Sequence, residues 1–200
     1  MRNHWWWRPG WRRGRRFYTW HLTFEGQDDV HRLAEAYRDR LQPLGPALTL
    51  IPDRWLHCTM QGIGFVGEVA ETDVRNIAAA ARERFAALPA LDVQIGPAIV
   101  DPEAVLMPVQ PSGPLRDLRD GVRAAIGEVL PTVPESAEGY FPHVSVAYSA
   151  QDGPSAPVVR AVEGLEAQPA TARVTSVQLI VIHRDNLMYE WKTFATVPLG

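Results

Sequence analysis

The chain has a single cysteine and a single lysine among its 200 residues, and each scarcity closes off a class of chemistry. With Cys58 alone, neither an internal disulfide nor a cysteine-rich zinc site can form. Lys192 is followed four residues on by Thr196, so the Lys-x-x-x-Gly setting of a lysine nucleophile for nucleotidyl transfer is missing. No stretch approaches the roughly 18 consecutive apolar residues of a membrane span. No apolar segment follows the basic start, as a secretory signal requires. A cytoplasmic protein with no membrane partner is the expectation. Acid is missing from the first sixteen residues, which hold six arginines, whereas residues 17–200 carry 14 basic and 23 acidic groups. The overall charge of −3 therefore hides a basic arm on an acidic body.

What is present suffices for a sizeable core: 46% of the residues are hydrophobic. The organisation expected is an Arg/Trp-rich arm, residues 1–16, followed by one domain, residues 17–200. Trp5, Trp6, Trp7 and Trp11 in the arm can stack on bases while its arginines attract phosphates. The alternative is that the tryptophans pack on the body and the arginines face water.

From Phe17 to Phe24 apolar and polar residues alternate, which predicts a half-buried strand. Val30, Leu33, Ala34, Tyr37 and Leu41 then recur at helical spacing after Asp28 and Asp29. A short apolar piece at Ala47–Ile51 and a strand at Trp55–Ile63 follow, then a helix from Thr72 to about Leu88. Strands are expected at Leu91–Val100 and Ala104–Val109, a helix at Leu115–Leu130, and a strand at His143–Tyr148. A helix at Val158–Leu165 and two closing strands, Val174–His183 and Tyr189–Val197, complete the pattern. Strands and helices mix without regular βαβ spacing, so the reading is an α+β protein with largely antiparallel sheets.

Two strings carry the chemistry: His57-Cys-Thr59-Met and His143-Val-Ser145-Val, 86 positions apart. In a strand, residues i and i+2 share a face. His57 with Thr59, and His143 with Ser145, therefore form two imidazole–hydroxyl pairs. Opening a cyclic phosphodiester requires one group to take a proton from water and another to give one to the departing sugar oxygen. Histidine serves both roles near neutral pH, and the hydroxyls can donate to the non-bridging oxygens. His21-Leu-Thr23 has the same form and places His21 on the polar face of its strand, either as a groove residue or as structure. The same parity nominates Trp55 and Gln61 beside His57, and Phe141 beside His143, as substrate contacts or as cleft wall. Cys58 points away from His57 and reads as buried and inert. His31 and His183 lack partners at useful spacing. A zinc pair at His57 and His143 would lack a third ligand, so no metal and no cofactor are expected.

The stretches Leu56–Val69 and Phe141–Tyr148 resemble the duplicated His-x-Thr/Ser-x signature of the two-histidine (2H) phosphoesterase superfamily, in particular its 2′-5′ RNA ligase-like branch. The similarity runs from about Phe17 to Leu199 and includes a closing hairpin with a tyrosine, here Tyr189. It implies a bilobal α+β fold with two pseudo-symmetric sheets, helices outside and a central groove. It also implies metal-free hydrolysis of 2′,3′-cyclic or 2′-5′-linked phosphodiesters, with His57, Thr59, His143 and Ser145 in the catalytic positions. Partners would be RNA termini or small cyclic or 2′-5′ nucleotides, and the protein is expected to be a monomer. The rival expectation is a non-catalytic module that binds RNA ends or phosphorylated nucleotides. Preference for arginine over lysine, with abundant alanine, proline and glycine, points to a GC-rich bacterial genome.

Overall fold

The computed structural model describes residues 1–200. The chain enters the body through β1 (Phe17–Thr23) and α1 (Asp28–Leu41), then β2 (Leu48–Leu50), β3 (His57–Phe65) and α2 (Glu71–Phe85). The middle holds β4 (Leu91–Ile95), β5 (Ile99–Val100), β6 (Ala104–Gln110) and α3 (Ser112–Gly127). The last third holds β7 (His143–Ser149), α4 (Ala156–Glu163), β8 (Ala170–Val174), β9 (Ser176–His183) and β10 (Glu190–Pro198).

Two antiparallel sheets result. The first has strand order β10-β9-β1-β3; the second runs β2-β7-β6-β4-β8, with β5 paired to β6. Helices α2 and α3 pack on each other and on the first sheet, and α1 and α4 do the same for the second. Each helix buries the stripe its spacing predicts, such as Val30, Leu33, Ala34, Tyr37 and Leu41 on α1. One hydrophobic core runs through both lobes. The lobes meet where β3, the edge of the first sheet, lies against β7 of the second. No helix is long and apolar enough to cross a membrane.

Two predicted strands are each divided. The expected Leu91–Val100 strand stops at Ile95 because Gly96 turns with φ 94°, a left-handed conformation that suits glycine. The expected Val174–His183 strand splits at Thr175, so that β8 joins the second sheet and β9 the first. The chain passes between lobes there, a crossing that a continuous apolar alternation conceals.

Candidate active site

His57 and His143 are the first residues of β3 and β7. Each ring is held in the same way. Nδ1 of His57 lies 2.8 Å from the Trp55 carbonyl, and Nδ1 of His143 lies 2.8 Å from the Phe141 carbonyl. A carbonyl only accepts, so each Nδ1–H donates and each Nε2 is left for other work. The strings converge where the lobes meet: the Cys58 sulfur lies against the backbone of His143, and charge on His143 disfavours charge on His57. Thr59 is exposed, whereas Ser145 is buried with its hydroxyl against the Tyr148 phenol.

His21 forms the floor. Its ring stacks on His57 with centroids 4.4 Å apart and planes 6° from parallel, and its Nε2 lies 3.3 Å from the Thr59 hydroxyl. Cross-strand register explains this, since β1 pairs Thr23 with His57 and His21 with Thr59. Burial drives the His57 pKa down to about 4; the Trp55 carbonyl pulls it back up and nearby His143 pushes it further down. Burial, with His57 as neighbour, holds His21 well below the usual histidine range. Both rings are therefore neutral at pH 7. Burial also pushes the Cys58 thiol up to about 11, which keeps it protonated and unreactive.

Three sequence-nominated residues sit differently from expectation. Gln61 is turned away from His57. Trp20 pairs with Gln61 and His21 with Thr59, so Met60 is an extra residue that flips the alternation. The Gln61 amide instead donates to the Pro134 carbonyl at 2.6 Å and accepts from Arg123 at 2.7 Å, behind the sheet. Trp55 belongs to a 3-10 turn, Asp53–Trp55, and Phe141 precedes β7, so strand parity places neither. Their carbonyls orient the two histidines, while the Phe141 ring is 46% exposed beside His143.

Sequence reasoning missed several residues here. Trp191, on β10, meets His57 edge-on at 5.4 Å, and Tyr189, named above only for the closing hairpin and lying just before β10, does so at 6.0 Å; their i, i+2 spacing was the available signal. Tyr148 reaches the same face because β7 carries an extra residue at Val146. Beyond Trp191, on the inner face of the first sheet, lies a cavity of about 570 Å³ bordered by Thr23, Gln178, Thr193 and Thr196. No three His, Cys, Asp or Glu side chains converge in a set able to hold a metal ion.

The Arg/Trp arm starts along the second sheet and ends against the first, where Trp11 packs on Phe17 and Phe65. The Arg2 amide donates to the Pro102 carbonyl at 2.6 Å and the His4 amide to that of Ser149 at 2.9 Å. The His4 ring stacks on Tyr148 at 4.1 Å. Burial, then the charges of Arg8, Arg184 and His57, lower its pKa to about 3, so it is neutral. With Nδ1 3.2 Å from the Glu103 carboxylate, Nδ1–H donates there and Nε2 accepts from the Tyr189 hydroxyl at 3.0 Å. Trp5 is buried and donates to Thr49. The buried Arg184 guanidinium donates to the His4 carbonyl and faces the rings of Trp5, Trp7, Trp11 and Tyr189. The arm thus divides between the two alternatives: Trp5 and Trp11 pack on the body, and Trp6 and Trp7 stay half exposed.

Solved structures share this architecture. TT0787 of Thermus thermophilus superposes with a TM-score of 0.69 at 15% identity, over 92% of this chain and 97% of its own. Escherichia coli LigT complexed with 3′-AMP gives 0.65 at 12% identity, over 93% and 99%. Other structures of LigT hold ATP or NADP+. At such identities the likeness shows the fold. No curated protein sequence matches the chain. The family model of the 2′-5′ RNA ligase superfamily matches residues 25–186, a span that includes both histidine strings and most of the body. The chain therefore belongs to the 2′-5′ RNA ligase superfamily, within the two-histidine phosphoesterases.

Proposed function

We propose that this protein hydrolyses 2′,3′-cyclic or 2′-5′-linked phosphodiesters without a metal, using His57 as general base and His143 as general acid. The neutral His57 Nε2 takes a proton from water as the water oxygen bonds to phosphorus. The bond from phosphorus to one ribose oxygen then breaks, and protonated His143 gives its Nε2 proton to that oxygen. A phosphomonoester and a free hydroxyl result, and the pair resets by exchanging protons with solvent. Thr59 and Ser145 donate hydrogen bonds to the non-bridging oxygens as negative charge builds on them.

The observation that carries this reading is the matched anchoring of the two rings, each by the carbonyl two residues upstream at 2.8 Å. A histidine kept only for packing has no need of a free Nε2 on both of two adjoining strands. The assignment of base to His57 follows from its depressed pKa, since a base must be neutral at working pH. Nucleotides bound to LigT agree with a nucleotide substrate, and the cavity past Trp191 has room for a nucleoside. The test is incubation of purified protein with 2′,3′-cyclic nucleotides and 2′-5′-linked dinucleotides, followed by phosphorus NMR. Phosphomonoester formation at the same rate with and without EDTA is expected. No product from any of these, or arrest by the chelator, removes the reading.

A further inference from the structure

The arm has two sides, and the mechanism uses neither. Its buried side, His4 and Trp5, is clamped between Tyr148, Tyr189 and Arg184, so it cannot swing as a loose tail. Its outer side shows Trp6 at 50% and Trp7 at 51% exposure, with the Arg8 guanidinium 5.6 Å from the Trp6 ring. Arg8, Arg15 and Arg16 are neutralised by Glu103, Glu68 and Asp185 respectively. Arg12 and Arg13 are exposed and have no carboxylate partner. Trp6 and Trp7 follow His4 by two and three residues, so their Cα atoms lie within about 11 Å of His4. Through Tyr189, His4 adjoins His57.

Two exposed indoles followed by two free guanidiniums, on a segment without acid, match an unpaired nucleic-acid strand, whose bases offer faces and whose backbone offers phosphates. The body is acidic, so this strip is where a polyanion meets favourable charge. We infer that the arm is a docking surface for single-stranded RNA, which holds the nucleotides next to a reacting end and makes an RNA terminus, rather than a free mononucleotide, the preferred substrate. The inference rests on the proposed phosphodiesterase reading for its reacting end, and on exposure and charge for its surface.

The experiment compares a uridine hexanucleotide ending in a 2′,3′-cyclic phosphate with uridine 2′,3′-cyclic phosphate. The proteins are the full-length chain, a Trp6→Ala/Trp7→Ala variant and an Arg12→Ala/Arg13→Ala variant. The native arm should favour the hexanucleotide about tenfold in kcat/KM, chiefly through KM, and both variants should lose most of that preference. Binding is read separately by fluorescence anisotropy of a labelled hexanucleotide on the His143→Ala protein, across a salt series. Adding Arg12→Ala/Arg13→Ala should flatten the plot of log affinity against log salt by about 1.4, the share of two phosphate contacts on a single strand. If neither substrate is turned over but hexanucleotide binding still depends on the four side chains, the phosphodiesterase reading fails and the docking surface stands. Equal use of both substrates with anisotropy unmoved by the substitutions overturns the inference. So does capture by phosphatidylserine vesicles with no binding of the hexanucleotide.

Discussion

Acidifying the assay from about pH 7.5 to about pH 5.5 should leave catalysis nearly intact, because the proposed base is buried. An ordinary histidine, with pKa near 6.5, would be about 90% protonated at pH 5.5 and useless as a base. His57, lowered to about 4 by burial and by His143, would be only about 3% protonated there by the same arithmetic. The two cases differ about tenfold in the fraction of active enzyme. The acid limb of kcat/KM for a 2′,3′-cyclic nucleotide should therefore bend near pH 4. The same shift acts on stability. Above pH 6.5 both folded and unfolded chains carry neutral His57, and its contribution is fully present. Between about 6.5 and 4 the unfolded chain takes up a proton that the folded chain refuses, so stability falls as pH falls, by about 3 kcal/mol for His57 once pH 4 is reached. His4 and His21, also depressed by burial, act in the same direction. Urea denaturation at matched pH values would record that loss beside the rate profile. An acid limb centred at pH 6 or higher, in protein still folded at that pH, refutes both the burial argument and the role of His57 as base.

Removal of either hydroxyl, Thr59→Val or Ser145→Ala, should lower kcat roughly a hundredfold with little change in KM, as for other lost donors to a developing oxyanion. A rise in KM at constant kcat, measured by steady-state kinetics, would assign them to ground-state binding instead. Gln61→Leu should cost about 1–3 kcal/mol in urea denaturation, because the Pro134 carbonyl and Arg123 lose a buried partner. Its kcat should stay close to that of the native protein, and a large loss of turnover in a stable Gln61→Leu protein would restore it to the groove. Cys58→Ala should retain activity, since the buried thiol lies against the His143 backbone and is pushed up to about 11; inactivation of the folded variant contradicts the inert reading.

Much of this site is legible in the residues alone. The pairing of an imidazole with a hydroxyl two residues on is a property of strand pleat, so His57 with Thr59 and His143 with Ser145 followed directly from the residues. For His21 the alternation indicates the polar face of β1, whereas its contact with His57 and Thr59 comes from the register of β1 against β3, a tertiary pairing that no local pattern encodes. What stayed hidden depends on departures from regular alternation. The extra residue at Met60 sends Gln61 behind the sheet, and the extra residue at Val146 brings Tyr148 forward; neither leaves a mark in local composition. The split at Thr175 was masked because the alternation continues on both sides of it. His4 illustrates another limit: its place beside Tyr148 and Glu103 comes from contacts about a hundred residues or more away in sequence, which no local pattern encodes. The anchoring carbonyls of Trp55 and Phe141 are equally hidden, because every residue carries a backbone carbonyl and only the local turn aims these two at the rings.

Replacement of the two histidines tests the central claim most directly. His57→Ala, His143→Ala and the double variant should be assayed on one 2′,3′-cyclic nucleotide, with folding verified by circular dichroism. If the rings act as one acid/base unit, each single change should reduce kcat about a thousandfold, and the double variant should fall little further. Either single variant turning over the substrate at close to the native rate would contradict the account.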